Sequence, residues 1–292
     1  MKTEYMKGFT LTALGVLVLS FDALLIRLIH SESFDLLFWR GILLSVAVLI
    51  WCRIRKPDQP LFSFDAAFIR SALLFAVNAI FFVSAVNLTS VANVLVIICA
   101  QPLFAAIMSR IFLGEKSPPI TWIAIVICMG AIFWVLAGSW DSPSLLGDFL
   151  ALGVALMLAG KFVNDRACSH RDMTSALITS GLMIAAVSLV LGSPFSLQGA
   201  AWGWMVLLCL VVVPLAFILI TLGPTRIPAA EVGMLMLLET ATGPLWTWIF
   251  LNEVPSTQAI QGGVVVVTTL LIHGVFQWRR NKRLAASVSS NE

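Results

Sequence analysis

Ten apolar segments, each about long enough to cross a lipid bilayer, follow one another along this chain. A helix needs about 20 apolar residues to span the hydrocarbon core. Backbone amides find no water there, and a helix pairs them within the segment itself. The pattern therefore predicts an all-α integral membrane protein with ten transmembrane helices. The predicted helices cover residues 8–29, 34–52, 67–86, 91–112, 119–138, 145–165, 174–192, 202–223, 228–251 and 257–278.

The composition excludes a soluble protein. Hydrophobic residues make up 60% of the 292 and charged residues only 11%, whereas about a quarter of the residues in a soluble domain are charged. The connecting loops are too short for a soluble domain, and no Walker-type phosphate loop indicates an ATPase module. The net charge of +3 comes from loop residues and does not indicate a nucleic-acid partner.

No catalytic or metal-binding set is visible in the sequence. The three histidines lie in separate helix ends or loops, and the five cysteines have no Cys-x-x-Cys spacing. Cysteines within apolar runs are typical of small buried hydrophobic residues. We therefore expect neither enzyme activity nor a cofactor or metal, and we expect the lipid bilayer and a small-molecule substrate as partners.

Lysine and arginine are divided unequally between alternate loops. The loops at 31–33, 87–90, 139–144, 193–200 and 252–256 contain none, whereas the loops between them and both termini are basic. Because cytoplasmic loops carry the excess of basic residues, both termini are predicted to lie in the cytoplasm. The expected location is the inner membrane of a bacterium.

The two halves of the chain share a repeat. Ala-Leu-Gly-Val occurs at 13–16 and again at 151–154, and the same offset places 111–115 on 249–253, with a shared Leu-x-Glu. Five helices per repeat is an odd number, so the second repeat enters the membrane from the opposite face. Inverted repeats surround a central substrate site in many transporters. We predict two five-helix repeats, 1–138 and 139–278, and a basic cytoplasmic tail, 279–292.

Three stretches of sequence carry a family resemblance. Gln101-Pro102-Leu103 through Leu113-Gly114-Glu115 resembles the fourth helix of EamA-type transporters in the drug/metabolite transporter superfamily. Leu238-Glu239 through Leu251-Asn252-Glu253 resembles the matching ninth helix, and Phe38-Trp39-Arg40 the start of the second. Two positions depart from the family pattern: Thr240 follows Glu239 where proline is frequent, and Asn252 stands where glycine is usual.

The resemblance implies a secondary transporter with ten helices, acting as a monomer or a homodimer. Members of the superfamily export amino acids, other metabolites and drugs, so the resemblance leaves the substrate open.

Charged residues inside the apolar segments are the first candidates for the site. A charge near the bilayer centre costs at least about 2.5–3.5 kcal/mol, so such residues face a cavity or a partner. The repeat offset pairs Asn93 with Glu231 and Gln101 with Glu239, which gives each repeat a polar stripe along one helix face. The two stripes predict one cavity near the pseudo-twofold axis. The other charges within the segments are Asp22, Arg27, Arg40 and Lys161.

Each of these charges has two interpretations. Glu239 lines the cavity, or it is a structural acid paired with Lys161 or an arginine. Asp22 contacts substrate or pairs with Arg27, and Arg40 binds a substrate carboxylate or neutralises Asp22. Lys161 and Glu231 lie nearer the helix ends, where a long side chain reaches water at the interface.

Aromatic residues at helical spacing complete the predicted cavity. Phe75, Asn78 and Phe82 share one face of the third helix, and Phe217 lies on the eighth. Such stripes are equally typical of helix packing. The predicted substrate cavity consists of Asp22, Trp39, Arg40, Phe75, Asn78, Phe82, Asn93, Gln101, Lys161, Phe217, Glu231 and Glu239.

The function that fits these features is secondary transport by alternating access. We expect an exporter of a small polar or amphipathic metabolite, such as an amino acid, with a proton as a candidate coupling ion. Efflux of organic cations or drugs is the alternative within transport. An intramembrane enzyme or a non-transporting receptor is the alternative of a different class.

Overall fold

The computed structural model describes residues 2–55, 61–63, 65–114, 119–137, 144–193, 195, 199, 201–227 and 229–289, with some side chains left out within the helices. The described part of the chain is helical. The helices are α1 (Lys2–Leu19), α2 (Asp22–Ile29), α3 (Ser33–Arg55), α4 (Ala66–Leu88), α5 (Val91–Ile98), α6 (Gln101–Phe112), α7 (Pro119–Ala137), α8 (Leu145–Ala167), α9 (Ala176–Leu191), α10 (Ala201–Val206), α11 (Val213–Thr221), α12 (Ala229–Leu251) and α13 (Thr257–Ser289). A π-helical turn, Leu207–Val212, joins α10 to α11.

These helices form ten spans, because α1 with α2, α5 with α6, and α10 with α11 each make one. Six spans in the described residues are long and apolar enough to cross a membrane, and α9 and parts of α7 and α13 are shorter apolar helices. The ten-helix membrane fold expected from the sequence is thus confirmed.

Three spans are interrupted where the sequence predicts continuous helices. In the fourth span, the Cys99 and Ala100 amides bond carbonyls three residues back, at 3.2 and 3.0 Å, and α6 then begins with Pro102 in its first turn. Proline has no amide hydrogen to continue the helical pattern, so the tightened turn separates α5 from α6. In the eighth span, Pro214 likewise lies in the first turn of α11, directly after the π-helical turn. The first span breaks at Ser20-Phe21.

The contacts between the helices are symmetric when the two halves of the chain are exchanged. The first span packs on the eighth (α1 on α11), and the sixth packs on the third (α8 on α4). Exchanging the two five-helix halves converts one contact into the other. The second span packs on the seventh, the fourth on the ninth and the fifth on the tenth, so each of these contacts maps onto itself. This is the arrangement that a pseudo-twofold axis between inverted repeats requires.

The second and seventh spans approach most closely at two glycines. A Cβ atom built on Gly41 would lie 2.8 Å from the amide nitrogen of Ala185, and one built on Gly181 would collide with Gly41. Ser45 Oγ lies between the helices, 2.8 Å from the Gly41 carbonyl oxygen and 2.9 Å from that of Ile178. Small residues at this crossing allow backbone-to-backbone contact between the repeats.

We predict that Gly181→Ala destabilises the protein by about 1–3 kcal/mol, because the added methyl overpacks the crossing of α3 and α9. Gly130→Ala is the matched control, since a Cβ there meets nothing within 4 Å. Unfolding in detergent micelles measures both variants. Equal stability of the two variants would contradict the close contact.

Candidate functional site

A narrow cavity lies between the two repeats. Eight helices border it, and three of its residues are ionisable. The volume of the cavity is about 20 Å³, which is about the space for one water molecule. The lining consists of Leu19, Asp22, Arg40, Phe75, Asn78, Ala79, Phe82, Ile98, Val154, Leu158, Phe217, Met236 and Glu239.

Asp22 and Arg40 form a two-pronged ion pair at the cavity wall. Asp22 is the first residue of α2, directly after the break in the first span. Arg40 Nη1 donates to Asp22 Oδ1 at 2.6 Å, and Nη2 donates to Oδ2 at 2.7 Å. Both side chains are buried, with relative exposures of 1% for Asp22 and 3% for Arg40. Of the two interpretations for Arg40, this geometry favours neutralisation of Asp22.

The alternative partner of Asp22 makes other contacts. Arg27 Nη2 donates to the carbonyl oxygen of Thr89 at 2.7 Å and lies 3.5 Å from Glu253 Oε1. Glu253 also accepts from the Val91 amide at 2.9 Å. The carboxylate therefore caps α5, in the other half of the chain, rather than the helix that follows it in sequence.

Glu239 is the third ionisable residue of the cavity. It lies on α12 with 6% of its surface exposed. Its carboxylate makes no hydrogen bond or ion pair with the part of the chain that the structure describes, and the charges that act on it are those of Asp22 and Arg40. The pairing with Lys161 that the sequence allowed is not formed, because Lys161 is engaged elsewhere.

The position of Glu239 is fixed by the residues that follow it on α12. Thr240 Oγ1 donates to the Leu95 carbonyl at 3.2 Å and lies 2.9 Å from Cys99 Sγ, at the break of the fourth span. One and a half turns later, Trp246 Nε1 donates to Ser20 Oγ at 3.1 Å, at the break of the first span. The helix that carries Glu239 is thus anchored to both interrupted helices that face it.

Lys161 does not line the cavity and does not reach the membrane interface. Its ammonium donates to Asp165 Oδ2 at 2.5 Å and to Thr221 Oγ1 at 3.3 Å, and Ser71 donates to the second Asp165 oxygen at 2.7 Å. Lys161 is 1% exposed. The expectation that it extends to water was therefore wrong. Asp165, one helical turn away, supplies the counter-charge instead.

Two phenylalanines border both the cavity and this Lys161 cluster. The rings of Phe75 and Phe217 meet edge to face with centroids 4.6 Å apart. Lys161 Nζ lies 6.0 Å from the Phe75 ring centroid, within the range of a cation–π contact. The ring pair therefore forms the end of the cavity nearest the Lys161 cluster.

The polar stripe predicted on the fourth span faces away from the cavity. Asn93 Nδ2 lies 3.4 Å from Asp148 Oδ1, and Thr89 Oγ1 donates to the same oxygen at 2.8 Å. Gln101 is fully buried against Gly233 on α12, and its amide makes no hydrogen bond with any described residue. Because the tight turn at 99–100 redirects the chain, Ile98 lines the cavity where Gln101 was expected.

The remaining predicted residues divide between the cavity and its surroundings. Asn78 and Phe82 line it, and Asn78 Nδ2 donates to the Val154 carbonyl at 3.2 Å. Trp39 lies outside it, with its ring 4.7 Å from that of Trp202. The side chain of Glu231 lies outside the described residues. The lining residues that sequence reasoning missed are apolar and carry no distinguishing signal: Leu19, Ala79, Ile98, Val154, Leu158 and Met236.

The sequence matches the family model described as the EamA-like transporter family, over residues 6–137 and again over 145–274. This chain belongs to the EamA-like transporter family. The resemblance noted in the fourth and ninth helices is confirmed by this match.

The chain is also similar to individual known proteins. The chain is 28% and 27% identical, each over 175 residues, to the pseudopaline exporter CntI from two strains of Pseudomonas aeruginosa. That alignment covers 59% of this chain and 61% of each relative, so it spans about three fifths of the relatives' length. A crystal structure of another protein superposes with a TM-score of 0.70 at 16% identity, covering 96% of this chain and 99% of that one. It shows a shared fold.

We predict that Arg40→Gln costs about 3–5 kcal/mol of stability, because it leaves Asp22 as a buried and uncompensated charge. The double variant Asp22→Asn with Arg40→Gln should recover much of the loss. Arg27→Gln is the control, since the half-buried Arg27–Glu253 pair should contribute about 1 kcal/mol or less. Denaturant unfolding of these three variants and of the single variant Asp22→Asn in micelles tests this. An additive double variant would show that the pair is not coupled.

Proposed function

We propose that this transporter exports a small polar or amphipathic metabolite by alternating access around the cavity between its repeats. An amino acid is one candidate for the substrate. Family membership supports transport, and the relatives named as exporters support the direction. The observation that carries the proposal is Glu239, a buried carboxylate in a cavity built from both halves of the chain.

Two polar clusters on opposite sides of the cavity are the proposed gates. One joins Arg27 to Thr89 and Thr89 to Asp148, with Glu253 capping α5 beside them. The other joins Ser71, Asp165, Lys161 and Thr221 behind the two phenylalanines. With both clusters formed, the cavity has room for about one water molecule, so a substrate needs one cluster to open.

The orientation follows from the basic loops of the sequence. We place both termini in the cytoplasm and the protein in the inner membrane of a bacterium. The cluster around Arg27 then lies on the outer side and the cluster around Lys161 on the inner side. Residues 1–138 and 139–278 act as the two repeats, with 279–292 as a basic tail that begins as the end of α13.

Efflux of organic cations is the second candidate function. The cavity favours it because Arg40 is held by Asp22 and leaves Glu239 as the group that can receive a cation. The walls at Phe75, Phe82 and Phe217 suit an apolar body beside that charge.

We predict that Glu239→Gln folds normally and loses most of its substrate flux, because the amide keeps the shape of the side chain and removes its charge. The measurement is flux of labelled amino acids and amines into liposomes that contain only this protein. Glu32→Gln, the same change at an exposed position, is the control.

Two outcomes would count against this account. Wild-type flux in the Glu239→Gln variant would remove Glu239 from the site. Absence of flux with every compound by the wild-type protein would favour a receptor or an intramembrane enzyme over a transporter.

A further inference from the structure

We propose that the cavity takes one unit of positive charge from its occupant, either as the ammonium group of a monocationic substrate or as a proton on Glu239. An amine then exchanges with a proton, whereas a zwitterion enters without displacing it. This inference rests on the proposed function, since it names the substrate class of the same cavity.

The charges that line the cavity do not balance. Arg40 is engaged on both nitrogens by the two oxygens of Asp22, so these two groups neutralise each other. Glu239 adds a carboxylate for which the described lining provides no cation. An ionised carboxylate buried in the membrane interior is unfavourable unless a partner compensates it. One positive charge is therefore missing when the cavity is empty.

Among the residues that the structure describes, no neighbouring cation supplies the missing charge. Lys161 is held by Asp165 and Thr221 on the far side of the Phe75 ring, and Arg27 bonds Thr89 and Glu253. These cations are committed to the two gate clusters. The described groups of α1, α8 and α13, which also pack on α12, place no charge in the lining.

The titratable groups that face Glu239 come from three places in the fold. They are Asp22 on α2, Arg40 on α3, and the Cys99 thiol at the break between α5 and α6. Cys99 already contacts Thr240. Of the three, only Arg40 carries a positive charge, and it would have to leave Asp22 to balance the carboxylate. The charge therefore has to come from the occupant.

The ion pair also decides which substrates suit the cavity. A substrate carboxylate would need the planar fork of Arg40, which binds carboxylates on two nitrogens. Asp22 already occupies that fork, so an amino acid has to displace Asp22 or leave its own carboxylate unpaired. An aromatic or aliphatic amine needs neither, since its ammonium reaches Glu239 while its body contacts Phe75, Phe82 and Met236.

The exchange balances in atoms and charge. In the empty protein, Glu239 is a neutral carboxyl. When a protonated amine binds, the carboxyl proton leaves to water and the carboxylate pairs with the ammonium, so the charge of the cavity stays constant. When a zwitterion binds, the proton stays on Glu239. Proton release therefore distinguishes the two substrate classes.

The first test does not depend on any substrate. Infrared difference spectra of the protein in lipid at neutral pH should show the carbonyl stretch of a protonated carboxyl that disappears in Glu239→Gln. The same band should persist in Glu32→Gln. An unchanged spectrum in Glu239→Gln would mean that Glu239 is ionised in the empty cavity, and the inference would be overturned.

The second test compares phenethylamine with phenylalanine, which share a ring and an amine and differ by a carboxylate. Calorimetry in two buffers of different ionisation enthalpy should show release of a proton when phenethylamine binds. It should show no release with phenylalanine, and Glu239→Gln should release none with either compound. Binding of phenethylamine without proton release, or no binding of it at all, would overturn the substrate class.

The two proposals fail differently in these experiments. If liposomes show no flux but the protonated carboxyl is present and responds to phenethylamine, the transport proposal fails and the charge requirement stands. If flux is present but Glu239 carries no proton in the empty protein, transport stands and the charge requirement fails.

Discussion

The ion pair between Asp22 and Arg40 joins the first two spans at the point where the first span is broken. The shape and the charge of the cavity both follow from this contact. A bilayer offers no water to solvate either group, so each has to find its partner inside the protein. With Arg40 committed in this way, Glu239 becomes the carboxylate to which the cavity offers no cation of its own among its described residues.

The ninth span connects this carboxylate to two of the interrupted spans. Thr240 bonds the carbonyl of Leu95 beside the break in the fourth span, and Trp246 bonds Ser20 at the break in the first. Stacking of Phe21 on Trp246, with centroids 4.8 Å apart, strengthens the second contact. Glu239 therefore lies on the helix that contacts the breaks of two of the three interrupted spans. Interrupted helices around a midplane site are common in transporters with inverted repeats.

Periodicity and length were sufficient to predict the ten spans and their inverted packing. Lipid-facing helices need apolar residues, and that requirement is local in sequence. The breaks in the helices are less visible in the sequence, because their causes differ. Pro102 and Pro214 mark two of them in the sequence, whereas Ser20-Phe21 has no such mark and contacts Trp246, which is distant in the chain.

The candidate site was predicted in part for the same reason. Asp22, Arg40, Phe75 and Glu239 line the cavity, and charges and aromatics at helical spacing are what marked them in the sequence. Gln101 does not line the cavity, because the turn before it changes which face of the fourth span meets the cavity. The Lys161–Asp165 spacing of four residues was visible in the sequence and would have indicated the ion pair.

The measurement that tests this account most directly is chemical modification of the buried carboxyls by a hydrophobic carbodiimide at neutral pH, mapped by mass spectrometry. Carbodiimides react with protonated carboxyls. We expect modification of Glu239, protection of Glu239 by phenethylamine, and no modification of Asp22, whose two oxygens are both bonded by Arg40. Modification of Asp22 while Glu239 stays unreacted would contradict it.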